Sequence, residues 1–236
     1  MPKDQPTAIQ RLDYRPPDYR IETLELEFDL EPQTTRVKAR LSLKADYDRS
    51  TGVRPLVLAG DALELVAVAL DGRVLGGGEY TVADKSFTIA APLAAFTLDI
   101  ETAIHPAANT QLSGLYVSNN VFCTQCEAEG FRRITYFLDR PDVMAVYRTT
   151  IRADRKLYPV LLSNGNLVEA RDLGDGRHMA VWHDPFPKPS YLFALVAGDL
   201  ASDAIAQPVD RISRICRMNL AEPRGMMWRR PTRDMD

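Results

Sequence analysis

Gln125, Glu127 and Glu129 take alternate positions in the stretch Thr124-Gln-Cys-Glu-Ala-Glu-Gly-Phe-Arg-Arg-Ile-Thr-Tyr136. In an extended backbone alternate side chains share a face, so this spacing predicts a carboxamide and two carboxylates on one side, with Cys126 and Ala128 on the other. Oxygen acceptors grouped in this way suit a cation or an amine. The same pattern also describes a polar edge strand whose acids are solvated. Gly130 then frees the backbone, and Arg132, Arg133 and Asp139-Arg140-Pro141-Asp142 continue as a charged run.

Other chemistries find less support. The three histidines, His105, His178 and His183, form no His-Glu-x-x-His pair, and an odd separation puts His178 and His183 on opposite faces of a strand. Both read as surface or rim histidines. Cys123 and Cys126 have Cys-x-x-Cys spacing, but a zinc ribbon needs a second pair, and a thioredoxin-type site needs the motif to open a helix. A thiol-active protein using these two cysteines stays as an alternative. Gly76-Gly77-Gly78 is not a phosphate loop, since no Gly-Lys-Ser/Thr closes it, and no Gly-x-Ser-x-Gly nucleophile motif is present.

The elements that position these residues read as strands. The chain has 236 residues, 45% hydrophobic and 26% charged, with a formal net charge of -3. It is long enough for one large all-β domain or two small ones. The charge offers no general attraction to nucleic acid or to an anionic membrane, and neither is expected as a partner. No apolar run follows Met1 as a secretory signal would and none is long enough to span a membrane, so three cysteines, Cys123, Cys126 and Cys216, read as reduced thiols in a cytoplasmic protein.

Residues 1–17 read as an N-terminal arm. Leu24, Leu26, Phe28 and Leu30 alternate with acids, and Val37, Ala39, Leu41 and Leu43 alternate with Lys38, Arg40 and Lys44, which predicts an antiparallel hairpin with opposite charges facing. Short strands follow at Leu56–Leu58, Leu63–Leu70, Tyr80–Val82, Phe87–Ile89 and Phe96–Ile104. Asp71-Gly72, Asn164-Gly165 and Asp175-Gly176 are hairpin turns, the second folding Val160–Leu162 back onto Leu167–Val168. His105–Asn120 is a loop that rims the charged stretch. Asp139-Arg140-Pro141-Asp142 opens one helical turn, and Tyr191–Ala197 is a continuous buried strand. From Asp210 onward arginines dominate and alternation is lost; Ile212, Ile215 and Met218-Asn219 allow one short helical turn in an otherwise irregular tail.

Several motifs together carry a resemblance: Thr124–Tyr136, Asp139-Arg-Pro-Asp142, Leu161-Leu-Ser-Asn-Gly165, Asp184-Pro-Phe-Pro-Lys-Pro189 and Tyr191-Leu-Phe-Ala-Leu-Val-Ala-Gly-Asp199. Over roughly residues 8 to 200 the chain resembles the N-terminal part of the bacterial aminopeptidase N (alanyl aminopeptidase) family of gluzincin zinc peptidases. The resemblance implies an all-β fold, a saddle-like assembly of mostly antiparallel sheets over 18–200, with 201–236 a divergent Arg-rich tail. It also implies that Glu127 binds the free α-amine of a peptide, and that Gln125 and Ala128 belong to the Gln-x-Glu-Ala element beside the first specificity pocket. Glu129 receives no role.

The family's Gly-x-Met-Glu-Asn strand, its His-Glu-x-x-His helix and its further zinc and catalytic residues are absent from these 236 residues. The expectation is therefore an inactive, truncated N-terminal domain with no catalytic residue, metal ligand or cofactor of its own, zinc belonging to the full-length family. Its expected partners are a peptide N-terminus and either a missing catalytic domain or a second copy. A free-standing interaction module is the remaining alternative.

Overall fold

Residues 11–204 and 214–217 are described by the computed structural model. In chain order the strands are β1 (Tyr19–Asp29), β2 (Thr35–Ala45), β3 (Leu56–Ala59), β4 (Glu64–Leu70), β5 (Arg73–Val74), β6 (Thr81–Ala83), β7 (Ser86–Ile89) and β8 (Ala95–Ile104). They continue with β9 (Gly114–Ser118), β10 (Val121–Gln125), β11 (Met144–Asp154), β12 (Val160–Ser163), β13 (Asn166–Asp172), β14 (Arg177–Pro189) and β15 (Leu195–Gly198). An eight-stranded sheet runs in the order β13-β14-β11-β1-β2-β8-β4-β5, a four-stranded one in the order β12-β15-β10-β9, and a three-stranded one in the order β3-β7-β6. All pairings are antiparallel except β1 with β11. The fold is nearly all-β, with helix confined to short 3-10 turns, and no helix among the described residues is long and apolar enough to cross a membrane.

Period-two patterning builds the large sheet. Leu24, Leu26, Phe28 and Leu30 are buried, as are Leu41, Ala39 and Val37 opposite the first three. Each such leucine, valine or phenylalanine side chain withdrawn from water contributes about 1.5–3 kcal/mol before entropy is counted. A bulge between Ile21 and Thr23 resets the parity, so that Tyr19 and Ile21 also face inward. On the outer face Glu25 lies opposite Arg40 and Glu27 opposite Lys38, the charge match predicted for this hairpin. These exposed pairs set register more than they add stability. Rings from the connecting segments close the core: Phe131 packs edge-on against Phe137 at 4.9 Å and Phe193 at 5.3 Å.

Several local expectations are corrected. Asn164-Gly165 does not close a hairpin: β12 pairs with β15 in the small sheet, whereas β13 pairs with β14 in the large one. The Asn164 side chain explains the divergence, donating to the Leu192 carbonyl at 3.1 Å and accepting from the Ala194 amide at 2.7 Å. Tyr191–Ala197 is not one strand; a 3-10 turn at Ser190–Leu192 precedes β15. Asp139–Asp142 forms no helical turn but a reverse turn closed by Val143 N–H on the Arg140 carbonyl at 3.2 Å. Within the loop His105–Asn120, residues Gly114–Ser118 are strand.

A second compact unit starts at Asp199. In it β16 (Ala201–Ala204) pairs antiparallel with β17 (Arg214–Arg217), so the segment around Ile215 is strand rather than helical turn. The rest of the Arg-rich tail, 205–213 and 218–236, and residues 1–10 of the arm lie outside the described residues.

Candidate functional site

β10 ends at Gln125, whose strand partner is Gly114 of β9. There the chain leaves the sheet and turns over Glu127–Gly130, the turn closed by Gly130 N–H on the Cys126 carbonyl at 2.8 Å. The Glu127–Ala128 peptide is cis. Gly130 permits the fold-back, because a Cβ there would stand 2.3 Å from the Gln125 carbonyl oxygen and 3.0 Å from the Cys126 Cα. The predicted strand alternation of Gln125, Glu127 and Glu129 therefore fails: two of the three are on a turn. What survives is their exposure, since Gln125, Glu127, Ala128 and Glu129 all face solvent while Cys126 is buried.

The two carboxylates of the turn differ in their commitments. Glu129 pairs with Arg132 at 3.1 Å. Glu127 has no hydrogen-bond or ion-pair partner for its carboxylate among the described residues; its main-chain oxygen accepts a 3.4 Å contact from the Gln125 carboxamide. Arg132 reaches the other way as well. Its amide and Nε donate to Asp139 Oδ2 at 3.1 and 3.0 Å, and its Nη2 donates to the Asp139 carbonyl at 3.0 Å. Asp139 is 2% exposed, and its second oxygen accepts from Ser190 Oγ at 2.5 Å. Arg133 pairs with Asp61 at 2.7 Å, and Arg140 with Asp142 at 2.7 Å. The other charges of this run are thus paired, and Glu127 is the acid left over among the described residues.

The loop before β9 stands beside the turn, as expected of a rim. Asn109 Nδ2 donates to the carbonyls of Ser113 and Leu115 at 2.8 and 2.9 Å and holds the loop's shape. A groove of about 230 Å³ lies between this loop and Arg133, lined also by Ala62, His105 and Gln111. The described part of the arm is pinned nearby, Tyr14 OH donating to Asp142 at 3.0 Å and Arg140 to the Arg15 carbonyl at 2.8 Å.

No group of three His, Cys, Asp or Glu among the described residues is placed to hold a metal ion, so these residues do not fit a zinc site. The histidines serve elsewhere. A carbonyl only accepts, so His105 Nδ1 donates to Gln33 at 2.7 Å and His178 Nε2 to Tyr158 at 2.8 Å. Cys123 and Cys126 are buried free thiols. Burial, with a smaller contribution from Asp139, pushes the Cys126 thiol up to about 12, and burial raises Cys123. A thiol held protonated is a poor nucleophile, which weighs against thiol chemistry. The native chain is expected to take up less than one equivalent of iodoacetamide at these two positions at pH 8 in the time that the denatured chain reacts fully; equal rates in both states contradict the burial.

Sequence reasoning missed Asp139 and Ser190. Asp139 was legible only as part of a charge run, and nothing in the local pattern marks Ser190 as its partner 51 residues away.

Comparison with known proteins gives a consistent answer. The sequence profile described as the peptidase M1 N-terminal domain matches residues 19–192. Aminopeptidase N of Caulobacter vibrioides is 56% identical over 200 residues, covering 85% of this chain and 23% of that protein. Aminopeptidase N of Escherichia coli is 46% identical over 228 residues, 96% of this chain and 25% of that protein, a match that runs into the Arg-rich segment beyond residue 200. The crystal structure of Legionella pneumophila aminopeptidase A in complex with aspartic acid superposes with a TM-score of 0.76 at 39% identity, covering 81% of this chain and 23% of that one. An M1 zinc metallopeptidase from Deinococcus radiodurans, at 14% identity and a TM-score of 0.67, shares the fold. This chain spans about a quarter of the length of the aminopeptidase N relatives it matches.

Proposed function

Because the chain belongs to the peptidase M1 family, as its N-terminal domain, we propose that it supplies the part of a zinc aminopeptidase that receives the amino end of a peptide. Glu127 accepts the α-ammonium, and Gln125 and Ala128 border the pocket for the first side chain. One observation carries this reading: Glu127 is the exposed carboxylate of the turn without a partner among the described residues, while its neighbours Glu129, Asp139 and Asp142 are all paired. An ammonium ion brings three N–H donors and a positive charge, which such an acceptor satisfies with charge-assisted hydrogen bonds.

Peptide hydrolysis in a zinc peptidase uses a metal ion to activate water and polarise the scissile carbonyl. The described residues do not fit that ion, and we assign the step to the three-quarters of the relatives' length that this chain does not span. The chain by itself is expected to release no p-nitroaniline from alanine p-nitroanilide, with or without added zinc. Stoichiometric zinc in the purified chain together with chelator-sensitive turnover overturns this.

The partner in this reading is a zinc-bearing catalytic part, or a second copy, meeting an exposed apolar surface. Phe186 supports it: it is 74% exposed and stands between Pro185 and Pro187 on a bulge of β14 opposite β11. A cytoplasmic setting belongs to the same reading, supported by the free thiols of Cys123 and Cys126.

A further inference from the structure

Arg132 and, 51 residues further along the chain, Ser190 meet at the buried carboxylate of Asp139. Arg132, two residues past the turn that carries Glu127, gives Asp139 two donors on one oxygen. Ser190, from the segment between β14 and β15, gives the other oxygen its hydroxyl. The Arg132 guanidinium then spans from this interior anion to the surface, with Nε and Nη2 turned toward Asp139 and Nη1 toward Glu129. We infer that Asp139 is a positioning residue for the amine-binding turn, holding Arg132 so that its Nη1 stays against Glu129 and not on Glu127; this rests on the amine-binding reading of Glu127.

The physical argument has two parts. A buried carboxylate without partners is costly, so Asp139 keeps its donors and acts as a fixed point; charge-assisted hydrogen bonds to it outlast ordinary ones. Arg132 is also a resident cation on this turn, paired with Glu129. A guanidinium free to swing would offer Glu127 a resident cation and shut out the incoming ammonium. With Nε and Nη2 tied to Asp139 and Nη1 facing Glu129, each of its three nitrogens has a partner. Glu129, which does not itself meet the amine, thereby acquires a part: its ion pair holds Nη1 of Arg132 away from Glu127. Gly130, whose amide closes the turn on Cys126, lies between Glu129 and Arg132 in the chain and reports whether the brace holds.

The test uses the whole chain, with Asp139→Asn as the main variant and Ser190→Ala, which removes a single donor, as the milder one. Two readouts are followed by NMR: hydrogen exchange of the Gly130 amide, with amides of β1 and β11 as controls, and the affinity for L-alaninamide relative to propionamide, which lacks the ammonium. In Asp139→Asn the Gly130 amide is expected to exchange at least about tenfold faster while β1 and β11 keep their protection, and the preference for alaninamide is expected to vanish with propionamide unaffected. In Ser190→Ala the same changes are expected at about threefold, which keeps the inference testable should Asp139→Asn fail to fold. Gly130 exchange within twofold of the parent in a folded variant overturns the positioning role. A parent chain with no preference for alaninamide overturns the amine-binding reading and the functional half of the inference with it, while Gly130 exchange still decides whether Asp139 braces the turn.

Discussion

Phe131→Ala is expected to lower the unfolding free energy by about 3–5 kcal/mol, the range for removing a buried aromatic ring without refilling its space. Phe131 is fully buried, and its ring meets those of Phe137, Tyr147 and Phe193, at 4.9, 6.2 and 5.3 Å. These partners come from three separate segments, so no single neighbour can collapse into the vacancy. A domain is stable by only about 5–15 kcal/mol, so the loss takes much of the total. Phe131 also starts the 3-10 turn that follows Gly130, and its carbonyl accepts from the Ile134 amide at 2.9 Å. The variant should therefore loosen the Glu127 turn before the large sheet. Urea unfolding of the parent and the variant measures the difference, and a change below about 1 kcal/mol contradicts the packing described.

Glu127→Gln is expected to erase the chain's preference for a ligand with a free ammonium group and to leave its fold untouched. The side chain is exposed and its carboxylate has no hydrogen-bond or ion-pair partner among the described residues, so its replacement carries little packing or desolvation cost. The carboxamide keeps an oxygen acceptor but loses the charge, and it presents N–H groups that repel an ammonium. In open water a carboxylate–ammonium contact is worth little, and about a fivefold loss of affinity is the size expected here. In a whole peptidase, where a covering domain would dry the site, the same substitution should cost more, because the contact strengthens as the local dielectric falls. Glu129→Gln should weaken that preference less, since it acts only by loosening the hold on Arg132.

Much of this was legible in the chain because it depends on local rules. The β1–β2 hairpin followed from alternation and opposed charges, and both were found. Asp71-Gly72 and Asp175-Gly176 closed hairpins because tight turns demand residues that tolerate positive φ, and Asp71, Gly72 and Gly176 adopt it. Asn164-Gly165 has the same chemistry and misled, since the Asn164 side chain is captured by residues 192–194 and the chain crosses between sheets. The exposure of Glu127 was foreseeable from its type, but its geometry was not. Whether the chain runs on as a strand or folds back after Gln125 depends on the missing Cβ of Gly130, and a glycine read alone permits either course. Asp139 was the least legible, because a buried acid looks like any other until Arg132 and Ser190 are brought to it. The family resemblance supplied the role proposed for Glu127; the structure added that Glu129, two residues away, is paired with Arg132.

The central claim is that the turn Gln125–Glu129 receives an amine through Glu127. It is tested most directly by titrating the isotope-labelled chain with L-alaninamide and, separately, with propionamide, following the backbone amides of Gln125 to Gly130. The account predicts saturable shifts confined to this turn with alaninamide, none with propionamide, and none with either ligand in Glu127→Gln. Equal shifts with both ligands, or alaninamide shifts that persist in Glu127→Gln, would contradict it.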